Sequence, residues 1–363
     1  VSPSTDKHKK LTDKFNLKAK LNLALIDIMT SSIKNKKFVL ASHPQGPVIP
    51  ENFKLVEEDL PALSDDEVLI RHQWLSLDPY MRGRISPAKS YAQGVKVGDT
   101  MVGATVGVIE QSKSDKFQIG DVVLSATGWQ LYGVAKASQV MKVDASKVPS
   151  SAFVGVLGMP GITAWTGLMN ICEPKPGETV VVDAASGAVG AVVGQLAKIA
   201  GCRVVGIAGG AAKCEYVVKE LGFDACVDHR SKTFAQDVAD ALPAGIDCLF
   251  ENVGGAIFEL LLSKMNAFSR IALCGTVSEY NDDPYPNRAL RSILINRIKF
   301  QGFIVSDKLD TWPGIREKLT ELVIAGKLKF RESIAEGLEQ APRAFVGMLA
   351  GENFGKQLVR ISN

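Results

Sequence analysis

Asp183-Ala184-Ala185-Ser186-Gly187-Ala188-Val189-Gly190 follows directly on the apolar run Glu178-Thr179-Val180-Val181-Val182, and together they read as a strand feeding a glycine-bearing turn into a helix. Glycines at 187 and 190 can take positive φ and let a ligand approach the backbone. A helix expected over residues 188–200 would point free N–H groups and its positive dipole end at an anion, the arrangement that holds a dinucleotide pyrophosphate. The turn has the spacing Ala-x-x-Gly-x-x-Gly rather than Gly-x-Gly-x-x-Gly, which an ordinary strand-to-helix connection also fits. The flanking sequence decides between the two.

On both sides of this turn the chain alternates apolar runs with helical stretches. Strand-like runs at 179–184, 203–208, 225–228, 246–251, 270–274 and 299–305 are separated by helical stretches such as 211–221, 233–242, 256–265 and 287–297, with a further one from Trp312 to Gly326. Six strands with intervening helices imply an α/β fold, a doubly wound parallel sheet whose ligand crevice lies at the carboxyl ends of its strands. Residues 37–150 differ in texture. Short β-like runs at Phe38–Ala41, Val68–His72, Val102–Glu110, Val122–Ala126 and Gln139–Val143, broken by Gly, Pro and Asp turns, predict a mostly-β domain. The last 35 or so residues return to that texture and end in Gln357-Leu358-Val359-Arg360-Ile361, a strand expected to rejoin the first domain.

Composition narrows the function classes. At 363 residues, 46% hydrophobic and 22% charged, the chain is ordinarily globular and long enough for two domains. No run approaches the ~18 apolar residues of a membrane span, and no export signal opens the sequence. The reading is a soluble cytoplasmic protein. Its net charge of +3 is concentrated at the start: residues 1–37 hold nine lysines and three aspartates, leaving 33 basic and 36 acidic residues elsewhere. A body near −3 argues against a nucleic-acid face. The lysine-rich start reads as a solvated tail, and Met29-Thr30-Ser31-Ser32 looks like a natural beginning, so residues 1–28 are expected to be an added or upstream-translated segment. Cysteines at 172, 202, 214, 226, 248 and 274 include no C-x-x-C pair, and the four histidines share no metal-ligand spacing, so neither a zinc ribbon nor a disulfide scaffold is expected. Cys202, Cys226, Cys248 and Cys274 fall in apolar runs, where a reduced thiol is a small buried hydrophobe.

Over residues 37–361 several motifs occur in a specific order: Asp78-Pro79-Tyr80-Met81-Arg82-Gly83-Arg84 with Ser90-Tyr91, Gly158-Met159-Pro160-Gly161-Ile162-Thr163-Ala164, the Ala-Ala-Ser-Gly-Ala-Val-Gly turn, Phe250-Glu251-Asn252-Val253-Gly254-Gly255, Cys274-Gly275-Thr276-Val277-Ser278-Glu279-Tyr280-Asn281, Gln301-Gly302-Phe303 and Asn353-Phe354-Gly355-Lys356. In these the chain resembles the zinc-free medium-chain dehydrogenases/reductases of the prostaglandin and leukotriene reductase type, and among them the bacterial NADPH-dependent curcumin reductases. The resemblance implies a GroES-like substrate domain around a Rossmann cofactor domain, with boundaries expected at 35–155, 156–327 and a return at 328–363 after an extension over 1–34. It implies a homodimer as well. No Gly-His-Glu follows the first strands and no four-cysteine lobe is present, so the metal site of a zinc alcohol dehydrogenase is not expected.

Cofactor choice turns on the end of the second Rossmann strand, where NAD enzymes usually carry an acid. Here Arg203–Ala208 runs into Gly209-Gly210, with Lys213 beyond: no carboxylate repels a 2′-phosphate, and a cation is at hand. The resemblance assigns Lys213 and His229 to that phosphate, although each also reads as surface. By resemblance Gly187, Ala188, Val189 and Gly190 hold the pyrophosphate, and Asn252 and Asn353 hydrogen-bond the cofactor, although turn formation alone would account for both asparagines. Met159, Thr163, Cys274, Gly275, Thr276, Phe303, Ile304 and Val305 would line the nicotinamide side. Tyr280, just past the fifth strand, is the main catalytic candidate; its hydroxyl can donate to a cofactor ribose or a substrate oxygen. Tyr91 is the second, and reads equally as pocket wall. Arg82 and Arg84 read as loop anchors. The expected activity is NADPH-dependent reduction of the activated double bond of an α,β-unsaturated carbonyl, a placed donor stabilising the enolate. A quinone reductase of the same superfamily and a non-catalytic NADPH-binding sensor or scaffold are the alternatives.

Overall fold

The computed structural model describes residues 34–281 and 284–362. The expectations for residues 1–28 therefore lie outside the described residues. The strands are β1 (Lys34–Leu40), β2 (Phe53–Asp59), β3 (Glu67–Ser76), β4 (Thr105–Ser112), β5 (Val122–Ser125), β6 (Tyr132–Lys136), β7 (Met141–Lys142), β8 (Thr179–Val182), β9 (Arg203–Ala208), β10 (Ala225–Asp228), β11 (Ile246–Glu251), β12 (Met265–Leu273), β13 (Lys299–Gly302), β14 (Glu332–Glu336) and β15 (Lys356–Arg360).

Strands β8–β13 form one parallel sheet in the order β10-β9-β8-β11-β12-β13. Val-Val-Val of β8 and Cys-Leu-Phe of β11 are fully buried, as strands covered by helices on both faces must be. Because the order reverses between β8 and β11, the crevice of this Rossmann sheet opens beyond their carboxyl ends. A second sheet, β14-β15-β3-β4-β5-β7 with β6 also paired to β3, makes the mostly-β part. As expected, the chain end returns to it: β15 lies antiparallel to β3, Leu358 opposite Ser76. Phe345, from the helix Ala341–Leu349, enters a buried aromatic cluster with Phe53 and Trp129, whose rings stack 5.1 Å apart.

Several elements differ from the sequence reading. The helix expected over 287–297 is the short Arg291–Ile295, the strand expected over 299–305 stops at Gly302, and β12 begins five residues early. Cys226 and Cys274 are half-buried rather than buried; Cys172, Cys202 and Cys248 are buried, and all six thiols are free.

His72 is wholly buried in β3, its Nδ1 bonded to the Gln130 carbonyl at 2.7 Å and its Nε2 to the Thr127 hydroxyl at 2.7 Å. The first bond needs a donor at Nδ1, while the Thr127 hydroxyl can either donate or accept; burial pushes the ring's pKa from 6.5 down to about 4, and that keeps it neutral at neutral pH. Below pH 6.5 the unfolded chain takes up a proton that the folded chain refuses. The fold should therefore lose about 3 kcal/mol as pH falls from 6.5 to 4, measured as the difference in urea unfolding between wild type and His72→Gln, which lacks the titration.

Candidate active site

Beyond β8 the chain enters the turn 184–189 and then the helix Gly190–Ile199. Neither Gly187 nor Gly190 takes the expected positive φ; the left-handed residue is Ala184, at 45°. Glycine is needed for space instead. A Cβ at Gly190 would collide with the Ala184 carbonyl, and one at Gly187 would lie 3.0 Å from the same oxygen. The helix has no side-chain cap, and the N–H groups of Ala188, Val189 and Gly190 have no hydrogen-bond partner among the described residues. Bare donors at the positive end of a helix form an anion cradle. Gly187 also bridges to Gly355, which lays the C-terminal return along one wall of the crevice.

At the end of β9, Lys213, on the helix Ala211–Lys219, donates to the Gly351 carbonyl at 2.7 Å. Desolvation and then Arg230 lower its pKa. His229 closes over the end of β9: a Cβ on Gly209 would lie 2.7 Å from its Nε2 and 3.1 Å from Nε of Arg230. The His229 ring, exposed at its rim but crowded beneath, is pushed toward neutrality by partial desolvation and then by Arg230. His229 and Arg230 thus close on the same glycine, with Lys213 near enough for their charges to be felt. Asp228 ties the two turns together, its Oδ1 accepting Gly210 N–H at 2.8 Å and Arg230 N–H at 2.9 Å. Arg230 escapes sequence reasoning because a basic residue after a strand end looks like ordinary surface. The bare N–H cradle and this cationic corner fit a dinucleotide carrying a 2′-phosphate.

The other end of the crevice is built from β11 and β12. Asn252 donates from Nδ2 to the Asp183 carbonyl and to Asp183 Oδ1, both at 3.2 Å. With both amide hydrogens engaged, its Oδ1 is the atom left for a ligand. Segment 274–280 is sewn to the end of β11: the N–H groups of Cys274 and Gly275 reach the Glu251 carbonyl, and those of Val277 and Ser278 the carbonyls of Asn252 and Val253. Tyr280 leaves this segment with its hydroxyl against Gly275, 3.1 Å from where a Cβ would stand. Desolvation, followed by Cys274 and Tyr91, pushes its phenol up to about 12. Tyr91 is 62% exposed on the opposite wall, its pKa raised by desolvation.

The remaining expected residues are more local in their bonding. Thr163 donates to the Met159 carbonyl one helical turn back, at 2.8 Å, and Asn353 donates to the Gly355 carbonyl at 2.7 Å, which is turn formation. Phe303 packs edge-on against Phe250 and is followed by Ile304 and Val305, whose carbonyl accepts from Trp312. Arg82 anchors loops, as expected: it reaches Asn281 Oδ1 at 2.9 Å and the Gly46 carbonyl at 3.1 Å, and so joins both walls of the cleft beside Tyr280. Among the described residues, no group of three or more His, Cys, Asp or Glu is placed to share a metal ion.

Fold and crevice together define a two-domain nucleotide-binding oxidoreductase. Residues 36–143 match the family model described as N-terminal domain of oxidoreductase, and residues 188–321 the one described as zinc-binding dehydrogenase. The chain is 46% identical to NADPH-dependent curcumin reductase of Escherichia coli (strain K12), covering 91% of this chain and 97% of that one. It is 40% identical to prostaglandin reductase 1 of Rattus norvegicus, covering 90% and 99%. The crystal structure of CurA in complex with NADPH from Vibrio vulnificus superposes with a TM-score of 0.86 at 44% identity, covering 90% and 99%. The chain belongs to the medium-chain dehydrogenase/reductase family, in the branch of the NADPH-dependent curcumin and prostaglandin reductases.

Lys213→Ala and Arg230→Ala should each raise KM for NADPH about tenfold to a hundredfold, the worth of one charge-assisted hydrogen bond, and leave KM for NADH about unchanged. Initial rates with both cofactors measure this.

Proposed function

We propose that this protein uses NADPH to reduce the activated carbon–carbon double bond of α,β-unsaturated ketones and aldehydes, and that Tyr280 is its hydrogen-bonding catalytic residue. The observation that carries this is the placement of a desolvated phenol, held protonated well past neutral pH, on the segment that follows β12 in the sheet-end crevice. Bound NADPH would supply the hydride. The chain's own part is to aim that cofactor and to donate to the substrate oxygen, where negative charge grows as the β-carbon is reduced. A protonated phenol gives more to an enolate than to a ground-state carbonyl, whereas an ionised one would repel both. Tyr91, across the cleft, is the second candidate for the proton delivered to the α-carbon. Lys213, His229 and Arg230 would hold the 2′-phosphate, the 188–190 amides the pyrophosphate, and Asn252 and Asn353 the nicotinamide half.

Domain limits near 155 and 327 suit this division of labour, with residues 35–155 and 328–363 facing the substrate and 156–327 the cofactor. The six free thiols suit a reducing compartment, the cytoplasm. No helix among the described residues is long and apolar enough to cross a membrane.

A homodimer is supported by the far edge of the parallel sheet. β13 pairs only with β12 among the described residues and all four of its residues are exposed, with Phe268, Leu290, Leu294 and Ile295 also exposed nearby. An open strand edge beside apolar side chains is what a two-fold partner covers.

Tyr280→Phe should lower kcat/KM for an enone about a hundredfold while the protein still binds NADPH. Turnover confined to quinones, or NADPH binding with no turnover, would overturn the reading. Leu294→Glu should convert the dimer to a monomer by light scattering; a wild-type monomer would remove the dimer.

A further inference from the structure

Two buried carboxyl groups lie side by side at the ends of β8 and β11, and no cation among the described residues is bonded to them. Phe250 of β11 stands opposite Val182 of β8, so the next residues, Glu251 and Asp183, are neighbours at the strand ends. Both are wholly inaccessible to solvent. Asp183 accepts on both oxygens: Oδ1 from the Asn252 N–H at 2.7 Å and the Asn252 amide at 3.2 Å, Oδ2 from the Val253 N–H at 3.1 Å. Glu251 accepts on one only, Oε1, from the N–H groups of Val253 at 2.8 Å and Gly254 at 2.6 Å. Its Oε2 is buried with no donor.

That asymmetry locates a proton. No Lys, Arg or His among the described residues hydrogen-bonds either carboxyl group, and two bare carboxylates cannot share such a site. Burial raises the pKa of Asp183 too, but donors reach both of its oxygens, so it is the better placed of the two to keep the charge; the orphaned Oε2 of Glu251 is the atom with room for hydrogen. Desolvation, followed by Asp183, holds Glu251 well above the usual carboxylate range. The other titratable groups around the pair deepen its isolation. The Cys274 thiol, after β12, is pushed up to about 12 by burial and then by both carboxyls, and Glu279 accepts from Gly255 N–H at 3.0 Å.

We propose that Glu251 is a positioning residue whose Oε2 carries a proton donated to Asp183, and that this acid–carboxylate pair holds the 252–255 turn so that Asn252 Oδ1 faces the cofactor. The inference rests on the reading of Asn252 as a cofactor contact. The pair grips four N–H donors of a turn that includes Gly254 at φ 78°, and the Asn252 amide can present its oxygen only while Asp183 remains an acceptor. Flipping the Asn252 amide would aim its oxygen at the Asp183 carboxylate.

The test uses the full-length protein without substrate, so it is independent of what the enzyme reduces. Infrared spectra at neutral pH should show the carbonyl stretch of a buried protonated carboxylic acid. Glu251→Gln, whose amide supplies the missing hydrogen, should abolish that band and keep the dissociation constant for NADPH within about threefold of wild type. Asp183→Asn places an amide where only acceptors fit, and should weaken NADPH binding at least about tenfold, as should Asn252→Ala with its infrared band intact. A band that is absent from wild type, or that survives in Glu251→Gln, overturns the shared proton. Asp183→Asn tolerated as well as Glu251→Gln overturns its placement on Glu251. Wild-type NADPH affinity in Asn252→Ala, with the band present, overturns the positioning role alone.

Discussion

The ammonium group of Lys356 sits almost entirely out of water, 2.9 Å from Asp78 Oδ1, and much of the molecule hangs on that contact. Asp78 opens the Asp-Pro-Tyr-Met-Arg-Gly-Arg segment of the first domain, and Lys356 begins the strand that returns from the second. Such a pair adds little stability over a matched apolar pair, yet losing one partner strands a buried charge at a cost of about 3–5 kcal/mol. What it supplies is register. One residue earlier Gly355 bridges to Gly187, and a few residues before that the Gly351 carbonyl receives Lys213. Three walls of the cofactor crevice are therefore referred to a single short stretch of backbone.

Along that crevice the electrostatics change in order. Cations gather at the end of β9, uncharged backbone donors follow at the helix start, and β8 and β11 end in buried acids with no basic hydrogen-bond partner among the described residues. A long ligand, negatively charged at one end and uncharged at the other, matches this sequence in one direction only. The asymmetry comes from three strand ends that share a sheet edge, since each contributes whatever residue follows its last buried position. Orientation of a bound dinucleotide is thus a property of strand order before it is a property of any single side chain.

How much of this was legible follows from where the signal lies. β9, β10 and β11 were readable to the residue because each is a short apolar run bounded by polar turns. β2, β6 and β14 were not. Phe53-Lys54-Leu55-Val56-Glu57-Glu58-Asp59, largely exposed, and Glu332-Ser333-Ile334-Ala335-Glu336, mostly half-buried, are edge strands and carry no sustained alternation. β12 begins early because Met265 already pairs with Ile246, ahead of an irregularity that holds Phe268 at φ 61°, which no local propensity suggests. In the site, Lys213, His229 and Asn252 were singled out by family resemblance, since each reads locally as surface or turn. Glu251 and Asp183 lie at strand ends, and each closes a fully apolar run, an anomaly that a sequence reader could notice. Only the pairing of β8 with β11 makes them neighbours, and that is long-range information.

The lysine that meets Asp78 is 278 residues further along the chain, and β15 completes a sheet begun by β3. In chain order the sheet of the first domain cannot be completed until β15 has been made, by which point every strand of the parallel sheet already exists. The middle of the chain is thus free to fold before the beginning does. Loop closure over so long an interval is slow unless something shortens it, and a folded Rossmann unit does so by bringing its two ends together. The outer domain's sheet is in this sense the last to have all its strands, and the wall for the substrate is complete only after the sheet for the cofactor can be.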